Sequence, residues 1–176
     1  MILVEGPDGG GKTRLVLRLA EELGLTPEPR RVSSDMQPLV SLYDTVREDM
    51  QSWPRKALYD RHSCISETIY APLFRERPNN GFDTRDKTIE VFSDFFRHRP
   101  LVIYCLPSLA EVIANVLEDP LNTRAAMQIT GVYWLYHFQA CRNPDALVWD
   151  YTRPGNYAAL RNWIHTEGKK RHGLDY

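Results

Sequence analysis

At 176 residues, with 43% hydrophobic and 26% charged side chains, the chain has the size and make-up of one well-cored globular domain and too little length for two. No apolar run approaches bilayer thickness. Cys64, Cys105 and Cys141 are too few and too widely spaced for a disulfide framework or a zinc site, so the expectation is a reducing cytoplasm and no membrane partner. A formal net charge of −1 argues against a protein that lives by non-specific nucleic-acid binding; Arg30-Arg31, Arg75 with Arg77, Arg97-His98-Arg99 and Lys169-Lys170-Arg171-His172 are read as solvated surface charge, with a local basic groove as the alternative.

In chain order, Ile2 to Glu5 predicts a buried strand, and with the glycine-rich run directly after it no targeting peptide is expected in front. Thr13 to Leu23 predicts a helix with Leu15, Leu19 and Leu23 on one face, stopped by Gly24. A weak strand is expected near Arg30 to Ser33 and a helix over Pro38 to Gln51, ending before Trp53-Pro54. Ala57 to Tyr59 reads as a short strand running into Asp60, and Ser63 to Phe74 as a helix. Pro78 to Gly81 reads as a turn, Asp86 to Phe96 as a helix, and Leu101 to Leu106 as the clearest strand after the first. Ser108 and Glu111 form a capping box for the next helix, which is expected to break around Pro120. Ala125 to Cys141 predicts a long helix in which Tyr133, Trp134 and Tyr136 are core packing. Leu147 to Trp149 is a last strand, and Asn156 is expected to cap a final helix. The alternation predicts a single α/β domain over 1–176: a three-layer sandwich around a parallel sheet, with a short lid over 107–128.

Gly6-Pro7-Asp8-Gly9-Gly10-Gly11-Lys12-Thr13 satisfies G-x-x-x-x-G-K-[ST], between a buried strand and an amphipathic helix. Glycines let the backbone curl until its N–H groups point inward at phosphate oxygens, and the helix adds the positive end of its dipole. Lys12 is assigned to the β- and γ-phosphates of ATP and the Thr13 hydroxyl to Mg²⁺. Asp8 would repel phosphate if it faced the loop's interior, so the choice is between an acceptor-facing carboxylate that takes a hydrogen bond from a sugar hydroxyl and an ordinary turn residue. Asp60-Arg61 at the end of a strand suits phosphoryl transfer. Arg61 can neutralise a moving or accepting phosphate, and Asp60 can hold a metal-bound water or take a proton.

Glu5 to Thr13 resembles the E-G-x-D-G-x-G-K-[ST] opening of the thymidylate kinase family of P-loop nucleotide and nucleoside kinases. Asp60-Arg61-His62, Ser66 and Tyr70 resemble its D-R-[YFH] motif, with Ile69 in place of a small residue. The resemblance implies a kinase fold of that type, with ATP–Mg²⁺ on Lys12, Thr13 and the loop backbone, Asp8 at an acceptor 3′-hydroxyl, and Arg61 at the transferring or the accepting phosphate. Tyr43 and Arg47 have the spacing of the family's base-holding aromatic and arginine, with an ordinary helix face as the alternative. Arg153, after the last strand, would stack on adenine, and Arg124 is the one arginine available to the lid. The family often forms homodimers.

Departures from the family bear on the acceptor. The segment from Gly11 to Asp60 is short, the T-R-E-P segment is not recognisable, and Asn115 stands near where a helix arginine is expected. Fewer phosphate clamps leave two acceptors open. One is a thymidine-type nucleotide or nucleoside. The other is the hydroxymethyl group of a modified pyrimidine in DNA, as in the similar viral 5-hydroxymethyluracil DNA kinases, which would place the chain in a host cytoplasm. For a hydroxyl acceptor, Asp35 and Asp60 are the available bases. A GTPase reading lacks the Asn-Lys-x-Asp motif, and a motor ATPase reading lacks an apolar strand ending in an acidic pair.

Overall fold

The computed structural model describes residues 1–29, 42–53, 55–74, 90, 93–118 and 123–176. Strands β1 (Ile2–Glu5), β2 (Pro27–Glu28), β3 (Leu58–Asp60), β4 (Leu101–Cys105) and β5 (Leu147–Trp149) form one sheet in the order β2-β3-β1-β4-β5. Every neighbouring pair is parallel; Ile2 lies opposite Leu58 on one side and Leu101 on the other. The helices are α1 (Lys12–Leu23), α2 (Leu42–Gln51), α3 (Ser63–Phe74), α4 (93–97), α5 (Leu109–Leu117), α6 (Thr123–Arg142) and α7 (Asn156–His172).

Side chains alternate across β1, so Ile2 and Val4 face one helical layer while Leu3 and Glu5 face the other. On the first face, Leu15, Val16 and Leu19 of α1 and Leu160 and Ile164 of α7 close a buried cluster. On the second, residues of α2 to α6, among them Val46, Ile65, Phe95, Val112 and Tyr136, close another. This is the predicted three-layer sandwich. Strands buried on both faces explain why Ile2-Leu3-Val4 reads as an uninterrupted apolar run.

Local signals place most boundaries. Gly24 ends α1 in the left-handed conformation at φ 61°, and Ser108 caps α5 by accepting from the Glu111 amide at 3.2 Å. Three expectations are corrected. The second strand lies at Pro27–Glu28, where it pairs with β3; Arg30 to Ser33, like Asp35 and the turn at Pro78 to Gly81, is outside the described residues. Gly155, not Asn156, occupies the cap of α7, because its left-handed φ of 78° makes the turn; Asn156 is the first helical residue and donates to the Asp150 carbonyl instead. Tyr133 and Tyr136 are core as expected, but Trp134 is 58% exposed, because its place on α6 turns it away from the sheet. Among the described residues no helix is long and apolar enough to cross a membrane.

Candidate active site

Strand order builds the site. β1 and β3 are adjacent and parallel, so the phosphate loop after Glu5 and the Asp60-Arg61 turn emerge side by side at the carboxyl end of the sheet. Gly6 sits at φ 145°, and a Cβ there would lie 2.6 Å from the Cys105 carbonyl oxygen; at Gly11, φ 82°, it would lie 2.9 Å from the Tyr151 ring. Glycine is therefore required at both places by conformation and by space.

Lys12 is buried and its ammonium bends back to donate to the Pro7 carbonyl at 2.6 Å. Burial lowers its pKa to about 8, with Arg61 adding to the effect and Asp8, Cys105 and Asp60 opposing it. The Thr13 hydroxyl donates to Asp60 Oδ2 at 2.9 Å. A hydroxyl and a carboxylate at the mouth of a phosphate cradle suit Mg²⁺, a hard cation that takes oxygen ligands from one or two side chains and from phosphates. These residues fit the ion the sequence implies. Among the described residues no group of three or more His, Cys, Asp or Glu forms a separate metal site.

Asp60 and Arg61 are not paired with each other. The Arg61 guanidinium is 5% exposed, and its Nη2 donates to Asp8 Oδ1 at 2.6 Å, to the Tyr70 hydroxyl at 2.7 Å and to the Gly6 carbonyl at 3.4 Å. Tyr70 closes the ring by donating to Asp8 Oδ2 at 3.4 Å. Burial works against the Arg61 charge, but Tyr70, Tyr136 and Asp8 more than restore it, so its pKa stays above the ordinary value. Asp8 thus faces Arg61, a partner that neither sequence expectation for it had named.

Behind this ring lies Glu5, fully buried at the end of β1. Its Oε1 accepts from the His62 amide at 2.6 Å and its Oε2 from the Tyr136 hydroxyl at 3.1 Å. Burial raises its pKa to about 7, while the His62 amide, Arg61, Tyr136 and Lys12 hold it back. Neither Glu5 nor Tyr70 stood out in the sequence beyond its place in a motif. A carboxylate closing a strand buried on both faces is the signal that was there to read, because such a charge must be partnered.

On the far side of the loop, a cavity of about 340 Å³ is lined by Arg14, Arg18, Tyr151, Arg153, Asn156 and Tyr157 among others. Arg153 lies on its rim, ion-paired to Asp150 at 3.1 Å. A second cavity of about 350 Å³ adjoins Gly9 and Gly11 beneath α5. There Asn115, where an arginine was expected, donates to the Gly9 carbonyl at 2.8 Å and to the Tyr151 hydroxyl at 2.7 Å. The structure therefore brings Gly6 to Thr13, Asp60 and Arg61 into one cluster and Arg153 to a neighbouring cavity. Arg47 lies exposed on α2. Of Tyr43 and Arg124 only the backbone, in α2 and α6, is described; their side chains and all of Asp35 lie outside the described residues.

No family model and no curated relative matches the chain. Among solved structures, the fold is similar to the YorR protein of Bacillus subtilis in complex with phosphorylated GDP, with a TM-score of 0.73, 17% identity and 96% of each chain covered. A deoxyadenosine kinase from M. mycoides with bound dATP matches at a TM-score of 0.49 and 17% identity, over 96% of this chain and 97% of that one. The first likeness shows the fold, a parallel sheet with helices on both faces.

Proposed function

We propose that the chain is an ATP-dependent kinase that transfers the γ-phosphoryl group to a thymidine-type nucleotide or nucleoside. The observation that carries this reading is the convergence of two distant motifs. A phosphate-gripping loop with Lys12 and Thr13 meets a buried, charged Arg61 that contacts the loop's own Gly6 and Asp8. A hydrolytic switch needs only the loop and a water; a guanidinium set at the loop's far lip suits a second phosphate or a phosphoryl group in flight. The likeness in fold to a protein crystallised with phosphorylated GDP supports a nucleotide ligand.

In this reading the loop amides and Lys12 hold the β- and γ-phosphates, and Thr13 and Asp60 would hold Mg²⁺. When bound, the ion offsets charge on the bridging and terminal oxygens. The acceptor oxygen forms a bond to the γ-phosphorus as the bond to the β–γ bridging oxygen breaks, leaving ADP. Arg61 stabilises negative charge on the equatorial oxygens, already fixed in place by Asp8 and Tyr70, so little reorganisation is needed. A phosphate acceptor arrives without a proton to lose. A hydroxyl acceptor gives its proton to a carboxylate, a role assigned to Asp60 or Asp35. The adenine is assigned to the cavity beside Arg153, and Tyr43 and Arg47 of α2 to the acceptor base. Arg124 is assigned to the lid.

The test is labelled ATP offered with dTMP, thymidine, or DNA containing 5-hydroxymethyluracil. Label on dTMP or thymidine supports the reading. Label on the polymer alone moves the activity to DNA modification. Absence of calorimetric heat with Mg·ATP on folded protein overturns the cradle assignment.

A further inference from the structure

Arg61 occupies a backbone conformation that a side-chain-bearing residue rarely adopts, with φ at 66°. Such a bend persists only where its surroundings over-determine it, and here two successive amides are held from β1. The Arg61 N–H donates to the Val4 carbonyl at 2.9 Å, and the His62 N–H donates to Glu5 Oε1 at 2.6 Å. The first bond is ordinary parallel-strand pairing. The second is not: a side chain takes the place of a backbone acceptor at the point where the chain leaves the sheet and turns into α3.

Glu5 is itself held. Because β1 alternates, its side chain shares the face of Leu3 and meets α6, where the Tyr136 hydroxyl donates to Oε2 at 3.1 Å. The charged neighbours are Arg61 and Lys12, and the titratable groups that look toward it are Cys64, Tyr70, Tyr104, Tyr136 and Cys105. His62 is anchored a second time through its ring: Nδ1 accepts from the Cys64 amide at 3.2 Å, which leaves the Nε2 proton for Asp49 Oδ2 at 3.3 Å. Glu5 is fully buried, and the phosphoryl-transfer chemistry above does not use it.

We propose that Glu5 is a positioning residue for Arg61: clamped between the His62 amide and the Tyr136 hydroxyl, its carboxylate holds the left-handed bend that sets the guanidinium against the phosphate loop. The inference rests on the proposed kinase reading for its catalytic consequence, but not for its geometry. A displacement of about an ångström in a charge-stabilising group costs roughly 10²-fold in rate. Loss of the clamp is therefore expected to appear in kcat and not in the affinity for Mg·ATP, which depends on the loop and Lys12.

The experiment compares wild type with Glu5→Ala, Glu5→Gln, Arg61→Ala and the Glu5→Ala/Arg61→Ala double variant. Glu5→Ala is expected to lower kcat about 10²-fold with the KM for Mg·ATP changed less than about threefold. Glu5→Gln keeps an oxygen for the His62 amide and is expected to restore kcat to within about fivefold of wild type. In the Arg61→Ala background, Glu5→Ala should change kcat by less than about twofold, because residues acting through one another are not additive. Equal slowing in both backgrounds overturns the proposal, as does a Glu5→Gln variant as slow as Glu5→Ala. If Glu5→Ala does not fold, Tyr136→Phe removes one side of the clamp and carries the same test, slowing wild type several-fold and the Arg61→Ala protein not at all. The His62 amide proton reads the geometry without activity. Its short bond to a carboxylate places it downfield, and an unmoved resonance in Glu5→Ala overturns the positioning role whatever the enzyme's substrate. Failure of wild type to transfer phosphate while that resonance shifts as expected counts against the kinase reading alone.

Discussion

The two faces of the sheet are packed with different chemistry. Against α1 and α7 the buried contacts are almost wholly apolar, with Ile2, Val4, Leu19, Ile103, Leu160 and Ile164 at their centre. Against α2 to α6 the same sheet buries Glu5, Asp49, Arg61, His62, Ser63 and Ser66 within an otherwise apolar cluster. A buried polar group is costly unless partnered, so specific pairs weigh more in the shape of the second face and apolar volume more in that of the first. The difference teaches where precision is needed: the polar face carries the turn that presents Arg61 to the phosphate loop.

The sharpest way to break that contrast is at the cradle between the faces. Lys12→Ala is expected to lower phosphoryl transfer by about 10²- to 10³-fold or more with little change in melting temperature, since the bond lost is to a single loop carbonyl. A transfer assay beside a thermal melt checks both halves. On the dry face, Leu19→Ala leaves a cavity under a fully buried side chain and is expected to cost about 2–5 kcal/mol. Urea titration measures that loss, and kcat per folded molecule should stay at the wild-type value.

The polar face should respond to pH where the dry one does not. The Glu5 carboxyl has its pKa raised from 4.5 to about 7 on folding. The folded protein therefore binds this proton more tightly than the unfolded chain. The resulting stability is fully present below pH 4.5 and is lost as pH rises through 7. Relative to Glu5→Gln, wild type should lose on the order of 3 kcal/mol across that window, measured by denaturant titration at a series of pH values. A flat difference would show that Glu5 ionises freely in the fold. The smallest effect is expected at the start of α5, where Ser108→Ala removes the helix cap and should cost about 1 kcal/mol, read as a shift in the urea midpoint.

The order of elements, the phosphate loop and the Asp60-Arg61 turn were legible because each is written over a few neighbouring residues. An apolar run feeding a glycine loop, a periodic helix ended by Gly24 and a serine cap at Ser108 all act within a turn or two of themselves. The expectations that failed also have local causes. At Asn156 a neighbouring glycine took the cap, and at Trp134 an aromatic beside two core tyrosines fell on the solvent side of α6.

Linear order could not reveal the partners. Glu5 meets His62 across 57 residues and Tyr136 across 131, and Arg61 meets Asp8 across 53. Those pairs exist because β3 lies beside β1 and α6 crosses the face that Glu5 happens to share with Leu3. Periodicity and turn chemistry decide what each segment becomes. Only the pairing of strands decides which buried charge stands next to which, because hydrogen bonds and ion pairs act over a few ångströms of space and are indifferent to distance along the chain.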